Sequence, residues 1–343
     1  MTTINDIAKV AGVSVSTVSR ILNNKIDVAA STRQRVLDVI DDLGYQPHIQ
    51  ARRLRTNAHK SNTISLLYPL ENTSFDSIVN SSVLVDYIQG ISRGVEESGF
   101  QLNLVTSNTS PEKLLNFYRS SQIDGAILMQ VTINDPRVQS LRDTNYPFVM
   151  IGRTSIDSDI NYIDFDYQQA VITAFTHLQS AGHRRIGFLT YPEILIDQQY
   201  GPAYYAMRGY DQIQQQQDTP YLACEINMQS TIDATQALLT QHPTITGLVV
   251  VHGEYINGVV AGIRSLNRRI PEDISIVVIS NKAQSEIVSP SITRVNLPAL
   301  DMGYRAARML IQQLEENTTT INQYLCDTQI YEGNSIRTHS SIS

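Results

Sequence analysis

Strand-length apolar runs alternate with amphipathic stretches from Thr63 to the last hundred residues of this 343-residue chain, and they do so in two successive sets. Ile64–Tyr68, Leu102–Thr106, Ala126–Met129 and Phe148–Ile151 read as buried strands, separated by helical patterns near 84–98, 111–121 and 135–143. Ile186–Thr190, Leu222–Ile226, Leu248–Val251 and Ser275–Ile279 repeat the pattern, with helices near 167–180, 203–216, 231–240 and 255–266. Parallel strands need a crossover, and a helix supplies it with right-handed sense, so each set implies a doubly wound sheet. Two such lobes would face one another across a cleft at their switch points, where sheets of this kind bind ligands. The longest apolar runs, such as Leu248–Val251 and Ile276–Ile279, are too short to span a bilayer.

The first sixty residues follow another rule. Thr3 is placed to cap a helix, with Asp6 three residues on. Ile4, Ile7, Ala8 and Ala11 share one face, and Gly12 is a left-handed stop. Ser14 caps a second helix through Leu22, burying Val18, Ile21 and Leu22, and Asn23-Asn24 ends it. Ser31 is read as the cap of a third helix, with Gln34 closing a capping box and Val36, Leu37, Ile40 and Leu43 as its stripe before Gly44. Two short helices joined by a glycine turn and braced by a third make a helix-turn-helix. Val15, Ser16, Thr17 and Arg20 would then be presented outward: small groups able to reach base edges, and a guanidinium able to grip guanine or phosphate. The alternative is a generic three-helix bundle with a solvated polar face.

Charge favours the first of these. The chain as a whole carries 26 Lys+Arg against 33 Asp+Glu, a net of −7, which by itself speaks against nucleic acid. Residues 1–60 hold nine basic and five acidic residues, +4, which leaves 17 against 28, −11, for the rest. No acidic residue occurs from Leu43 to Leu70, and Pro47 precedes a short basic stretch with Arg52, Arg53 and Arg55 around Leu54. So short a helix is unstable alone and suits a hinge that orders on DNA, with Leu54 as a wedge between base steps. An ordinary packing contact is the alternative for Leu54.

Thr3–Leu22 (TINDIAKVAGVSVSTVSRIL), Ser31–Arg35 (STRQR) and Gly44-Tyr45-Gln46-Pro47 with Ala51-Arg52 and Leu54 resemble the headpiece of the lactose-repressor/galactose-repressor family of bacterial transcription regulators. The resemblance implies that Val15, Ser16 and Arg20 occupy major-groove reading positions and Leu54 the minor-groove wedge. His48 stands where the family usually has Asn. The DNA-contacting set is expected to comprise Thr3, Ser14, Val15, Ser16, Thr17, Arg20, Ala51, Arg52, Leu54 and Arg55. The implied fold class is α/β: a small all-α helix-turn-helix headpiece (1–46), a hinge (47–61), and two doubly wound lobes of periplasmic-binding-protein-like type. The first lobe is expected to hold 62–160 and 292–322, the second 161–291 and 323–343, with crossings near 160, 291 and 323. Leu297–Glu316 would be a helix returned to the first lobe.

Sugar-binding members commonly carry an Arg three residues before a Gly-aromatic pair. Here the pair is Gly209-Tyr210 and the matching position is Ala206. His252-Gly253 replaces the usual Asn-Asp, and Ser280, followed by Asn281, replaces the usual Asp. A site built to bond hydroxyls rejects ligands that leave its groups unpaired, so this pocket must be differently constructed. The expected effector-binding residues are Tyr68, Phe75, Arg153, Tyr205, His252, Ser280 and Asn281. Tyr191, Tyr200 and Tyr204 are further stacking candidates, and Glu71–Ser82 is a candidate lid. For the tyrosines the alternative is packing, and for Arg153 a structural salt bridge.

These features predict a DNA-binding regulator, most simply a homodimeric repressor on a near-palindromic operator, controlled by a small molecule of carbohydrate type; a nucleobase is the other ligand class. A solute receptor is the rival class, and the N-terminus, with neither basic n-region nor apolar h-region, favours a cytoplasmic chain without membrane contact. A nucleotide enzyme would need GxGxxG or GxxxxGK[ST], and neither occurs; Gly258-xxx-Gly262 suits close helix packing instead. Seven His without ligand spacing predict no metal, and no cofactor is expected. The sequence after Asn322 shows no heptad pattern for a coiled-coil tail.

Overall fold

The computed structural model describes residues 4–22, 28–43, 61–69, 82–155, 158–316 and 320–338. They divide into two compact units, Met1–Ser61 and Asn62–Ser343.

In the first unit, α1 (Ile4–Ala11), α2 (Val15–Leu22) and α3 (Ala30–Asp42) surround a core of Ile7, Ala8, Ala11, Val18, Ile21 and Val36. Gly12 has φ +62° and lets the chain turn between α1 and α2 while the Val13 N–H reaches the Ala8 carbonyl. The third helix departs from expectation. It begins at Ala30, with the Arg33 N–H on the Ala29 carbonyl, and Gln34 donates forward to Asp38 instead of closing a capping box at Ser31. Its inner face is Val36, Val39, Ile40 and Leu43; Leu37 lies off it and is partly exposed, because i, i+3, i+4 and i+7 define the stripe and i+1 leaves it. Thr3, the Asn23-Asn24 and Gly44 stops, the hinge residues Ala51, Arg52, Leu54 and Arg55, and Phe75 with the proposed lid up to Ser81 lie outside the described residues.

The second unit contains two six-stranded sheets. The first sheet is formed by β1 (Thr63–Leu67), β2 (Gln101–Val105), β3 (Gly125–Leu128), β4 (Phe148–Ile151), β5 (Tyr162–Phe165) and β11 (Gln323–Cys326), in the order β11-β5-β4-β3-β1-β2 and parallel throughout. The second is formed by β6 (Ile186–Thr190), β7 (Tyr221–Ala223), β8 (Gly247–Val250), β9 (Ser275–Ser280), β10 (Thr293–Asn296) and β12 (Ile330–Tyr331). Its order is β12-β10-β9-β8-β6-β7, and β12 alone is antiparallel. Central strands such as β3, β4, β6, β8 and β9 are buried along their whole length, as near-continuous apolar runs require. β2 and β7, read from sequence as buried, are edge strands, and Leu104 and Tyr221 face solvent.

The crossings between lobes differ from the expected positions. Tyr162–Phe165 pairs with β4 and Gln323–Cys326 with β5, so both remain in the first sheet, and the chain leaves it at Asp166 and after Cys326, not near 160 and 323. Thr293–Asn296 pairs with β9, so the second crossing comes after Asn296 instead of near 291. The Tyr162–Phe165 segment is short and interrupted by Asp164, which hides its strand character in sequence. The helix expected to return to the first lobe does so: Ala299–Glu316 packs on Ser82–Glu96, where a Cβ on Gly303 would stand 2.4 Å from the Tyr87 carbonyl oxygen. Gly258 and Gly262 likewise lie against Thr231 and Thr235 of the neighbouring helix Met228–Gln241, close helix packing as expected. Among the described residues no helix is long and apolar enough to cross a membrane.

Candidate functional site

The amino end of α2 presents hydroxyls. Ser14 Oγ accepts the Thr17 N–H at 3.1 Å, capping the helix, and lies 2.7 Å from Ser16 Oγ and 2.8 Å from Thr17 Oγ1. Ser14, Ser16 and Arg20 are exposed, and Thr17 is half-buried. Val15 differs from expectation: it packs partly against the headpiece core. The exposed set is thus two hydroxyls beside a helix N-terminus, suited to anionic oxygens, and a guanidinium one turn on.

In the second unit a cleft of about 790 Å³, mouth included, lies where the carboxyl ends of the two sheets meet. Its lining follows from the strand order. In both sheets neighbouring connections leave in opposite directions between the first and third strands, and the residues just past those strand ends are Tyr68, Met129, Gln130 and Val131 on one side and Tyr191, Val251, His252 and Gly253 on the other. Tyr87, Asp164, Tyr167, Tyr200 and Gln284 complete the polar wall; Leu84, Ile151, Ile279, Leu297 and Met302 are among its apolar members.

The aromatic groups hold one another edge-on. Tyr191 meets Tyr200 at 6.0 Å and His252 at 5.6 Å between ring centroids, both T-shaped. Removal from water raises the pKa of Tyr68, Tyr87, Tyr167, Tyr191 and Tyr200, so all five hydroxyls remain protonated and can donate. The same desolvation lowers the His252 pKa to about 4. His252 Nδ1 accepts the Glu254 N–H at 3.2 Å, which leaves the ring proton of this neutral imidazole on Nε2.

Of the expected effector residues, Tyr68 and His252 line the cleft. Arg153 does not. Its Nε lies 3.1 Å from Asp164 and a terminal nitrogen 3.5 Å from Asp166, while its guanidinium covers the Tyr205 ring at 3.9 Å. Arg153 and Tyr205 therefore stand behind the wall and hold Asp164, because two carboxylates outcompete open solvent for the cation. Ser280 is buried at the end of β9 and is absent from the lining. Asn281 joins the lobes instead: its Nδ2 donates to Asp86 at 2.7 Å, its Oδ1 accepts from Ser82 at 3.2 Å, and the same oxygen caps Lys282–Glu286 through the Gln284 N–H. Backbone bonds from Ile133 N to Gln199 O and from Gly201 N to Val131 O tie the lobes at a second place. Tyr191 and Tyr200 line the cleft as expected; Tyr204 packs edge-on against Tyr205 and bonds Arg208. Ala206 is fully buried and is not among the residues that line the cleft.

Tyr87, Gln130, Asp164, Tyr167 and Gln284 were missed. Gln130 lies just past the end of β3 and could have been found by listing residues beyond each strand's carboxyl end. Gln284 carries no such signal, since it reaches the cleft from the short helix after β9.

Residues 3–48 match the model for bacterial regulatory proteins of the lacI family, and residues 175–336 match the periplasmic binding protein-like domain. The N-terminal segment thus carries the lacI-family match and the second lobe the periplasmic-binding-protein-like one. The chain is 28% identical to catabolite control protein A of Priestia megaterium, over 92% of its own length and 93% of the relative's. It is 29% identical to the ribose operon repressor of Halalkalibacterium halodurans, covering 96% of each chain. Its fold matches that of the lac repressor dimer bound to operator and the anti-inducer ONPF, with a TM-score of 0.79 at 19% identity over 98% of this chain and 99% of that one.

Proposed function

We propose that this chain is a transcriptional repressor of the lacI family that binds a near-palindromic operator as a homodimer, and that a carbohydrate in the interlobe cleft sets its affinity for DNA. The cleft carries the ligand half of this reading: protonated tyrosine hydroxyls and a neutral histidine, set among apolar side chains, match the hydroxyl edges and C–H faces of a sugar ring. A relative is named for the ribose operon, which agrees with that chemistry. The headpiece carries the other half, with Ser14, Ser16, Thr17 and Arg20 contacting the operator and Ala51, Arg52, Leu54 and Arg55 forming the hinge. The relatives are regulators, and the reading assigns the chain no catalytic step and a place in the cytoplasm beside its DNA.

Full-length protein, used to select duplexes from a random library, should enrich a twofold sequence; no enrichment at moderate salt, with or without ribose or cellobiose, would overturn the repressor reading. On the selected duplex Arg20→Ala should lose about 1–3 kcal/mol and flatten the preference at one base position. A uniform loss across sequences would reassign Arg20 to the phosphate backbone.

A further inference from the structure

The cleft wall carries no cationic side chain among the described residues. Asp164 is the one charged side chain among the described residues that line it, and no lysine or arginine is among them. The residues of this unit outside the description, 70–81, 156–157, 317–319 and 339–343, contain no lysine or arginine either. Arg153, adjacent in sequence to Gly152 of the wall, is engaged with Asp164, Asp166 and Tyr205.

A second carboxylate stands close by. Gln284 Nε2 donates to Glu254 Oε1 at 3.0 Å, and Glu254 is near enough to act electrostatically on Tyr68 of the opposite lobe. A carboxylate only accepts, so the amide nitrogen must face it and the amide oxygen faces away. That oxygen is buried and has no donor among the described residues, in a side chain only 8% exposed that lines the cleft. Gly253 makes its position possible, since a Cβ there would overlap the amide group. An acceptor left without a donor is destabilising until a donor arrives.

Resting on the carbohydrate reading above, we propose that the ligand is an uncharged polyol, and that phosphorylated and carboxylated sugars are excluded because the cleft wall offers them no cation. An anion entering this cleft loses its water and finds no cation to replace it, because Arg153 is already held by Asp164 and Asp166 and the nearby Glu254 carries a like charge. A neutral hydroxyl needs no cation and accepts from the tyrosines and His252 Nε2.

Calorimetry on the full chain tests this with matched probes: ribose and ribose 5-phosphate; glucose, glucose 6-phosphate, glucuronate and glucosamine; cellobiose and cellobiouronate; and adenine. The expected result is binding of at least one neutral sugar, with its anionic counterpart weaker by about a hundredfold or more. Glu254→Gln retains an acceptor for Gln284 and should narrow that gap several-fold; an unchanged gap would remove Glu254 from the mechanism. An anionic sugar binding as tightly as its neutral form, or glucosamine binding alone, overturns the exclusion while leaving the carbohydrate reading intact. Binding of adenine alone, or of no probe at millimolar concentration, overturns the carbohydrate reading and this inference with it.

Discussion

The two sheets of the ligand-binding unit run their strands in the same order, second, first, third, fourth, fifth, and each adds one strand from the C-terminal region. In the first lobe that strand is parallel and four residues long; in the second it is antiparallel and two residues long. The lobes also differ in what they bring to the cleft. The first supplies Tyr68, Tyr87 and Asp164, with Arg153 braced behind; the second supplies Tyr191, His252 and Gln284, with no arginine in the lining. Shared strand order places both walls at carboxyl ends, whereas ligand chemistry is set separately by the few side chains that follow each strand.

The largest expected effect breaks the brace. Arg153→Met leaves Asp164 and Asp166 without their cation and should cost about 3–5 kcal/mol of unfolding free energy, read by denaturant titration. A loss below about 1 kcal/mol would show that the pair is only a surface ornament of the first lobe. Next come the helix crossings. Gly303→Ala drives a Cβ onto the Tyr87 carbonyl in the first lobe, and Gly262→Ala drives one onto the Thr235 side chain in the second. Both should destabilise by about 1–3 kcal/mol, Gly303→Ala the more, because a side chain yields more easily than backbone. Equal melting temperatures for the two variants would contradict that ranking.

Asn281→Ala removes a helix cap and the bonds from the second lobe to Ser82 and Asp86. We expect a loss of about 1–2 kcal/mol, and a more open average shape by small-angle scattering; unchanged scattering would assign Asn281 to the cap alone. The smallest effect at neutral pH belongs to His252. Its pKa is lowered to about 4 by burial against roughly 6.5 unfolded, so between those values the unfolded chain binds more protons and stability falls as pH drops. His252→Asn keeps an acceptor for the Glu254 N–H and should flatten the melting temperature between about pH 6.5 and 4. A slope identical to that of the parent would assign the titration elsewhere.

Periodicity made much of this fold legible before any coordinates. The central strands are unbroken apolar runs, and the helices between them repeat on a 3.6-residue period, so β1, β3, β4, β6, β8 and β9 with their crossover helices stood out. Tyr162–Phe165, Thr293–Asn296 and Gln323–Cys326 did not, since strands of four residues with polar members carry too few positions to show a period; the lobe crossings moved with them. The headpiece was legible because its caps and turn are local, Ser14 and Gly12 each acting within four residues. The cleft was legible only in part. Tyr68, Tyr191 and His252 lie within two residues of a strand's carboxyl end, whereas Gln284 and Tyr87 arrive on helices whose rotation no local pattern reports.

By itself the sequence determined a basic three-helix reader joined to an acidic pair of doubly wound lobes, because charge balance, caps and hydrophobic period are properties of neighbouring residues. Only the tertiary structure decided that Arg153 faces Asp164 and Asp166, that Asn281 clasps the opposite lobe, and that Gln284 binds Glu254 at the cleft wall. Each of those outcomes depends on residues beyond one helical turn of each other, from Arg153 and Asp164 on neighbouring segments to Asn281 and Asp86, nearly 200 positions apart. Competition for a guanidinium, an amide or a carboxylate is settled by which partner is nearest in space.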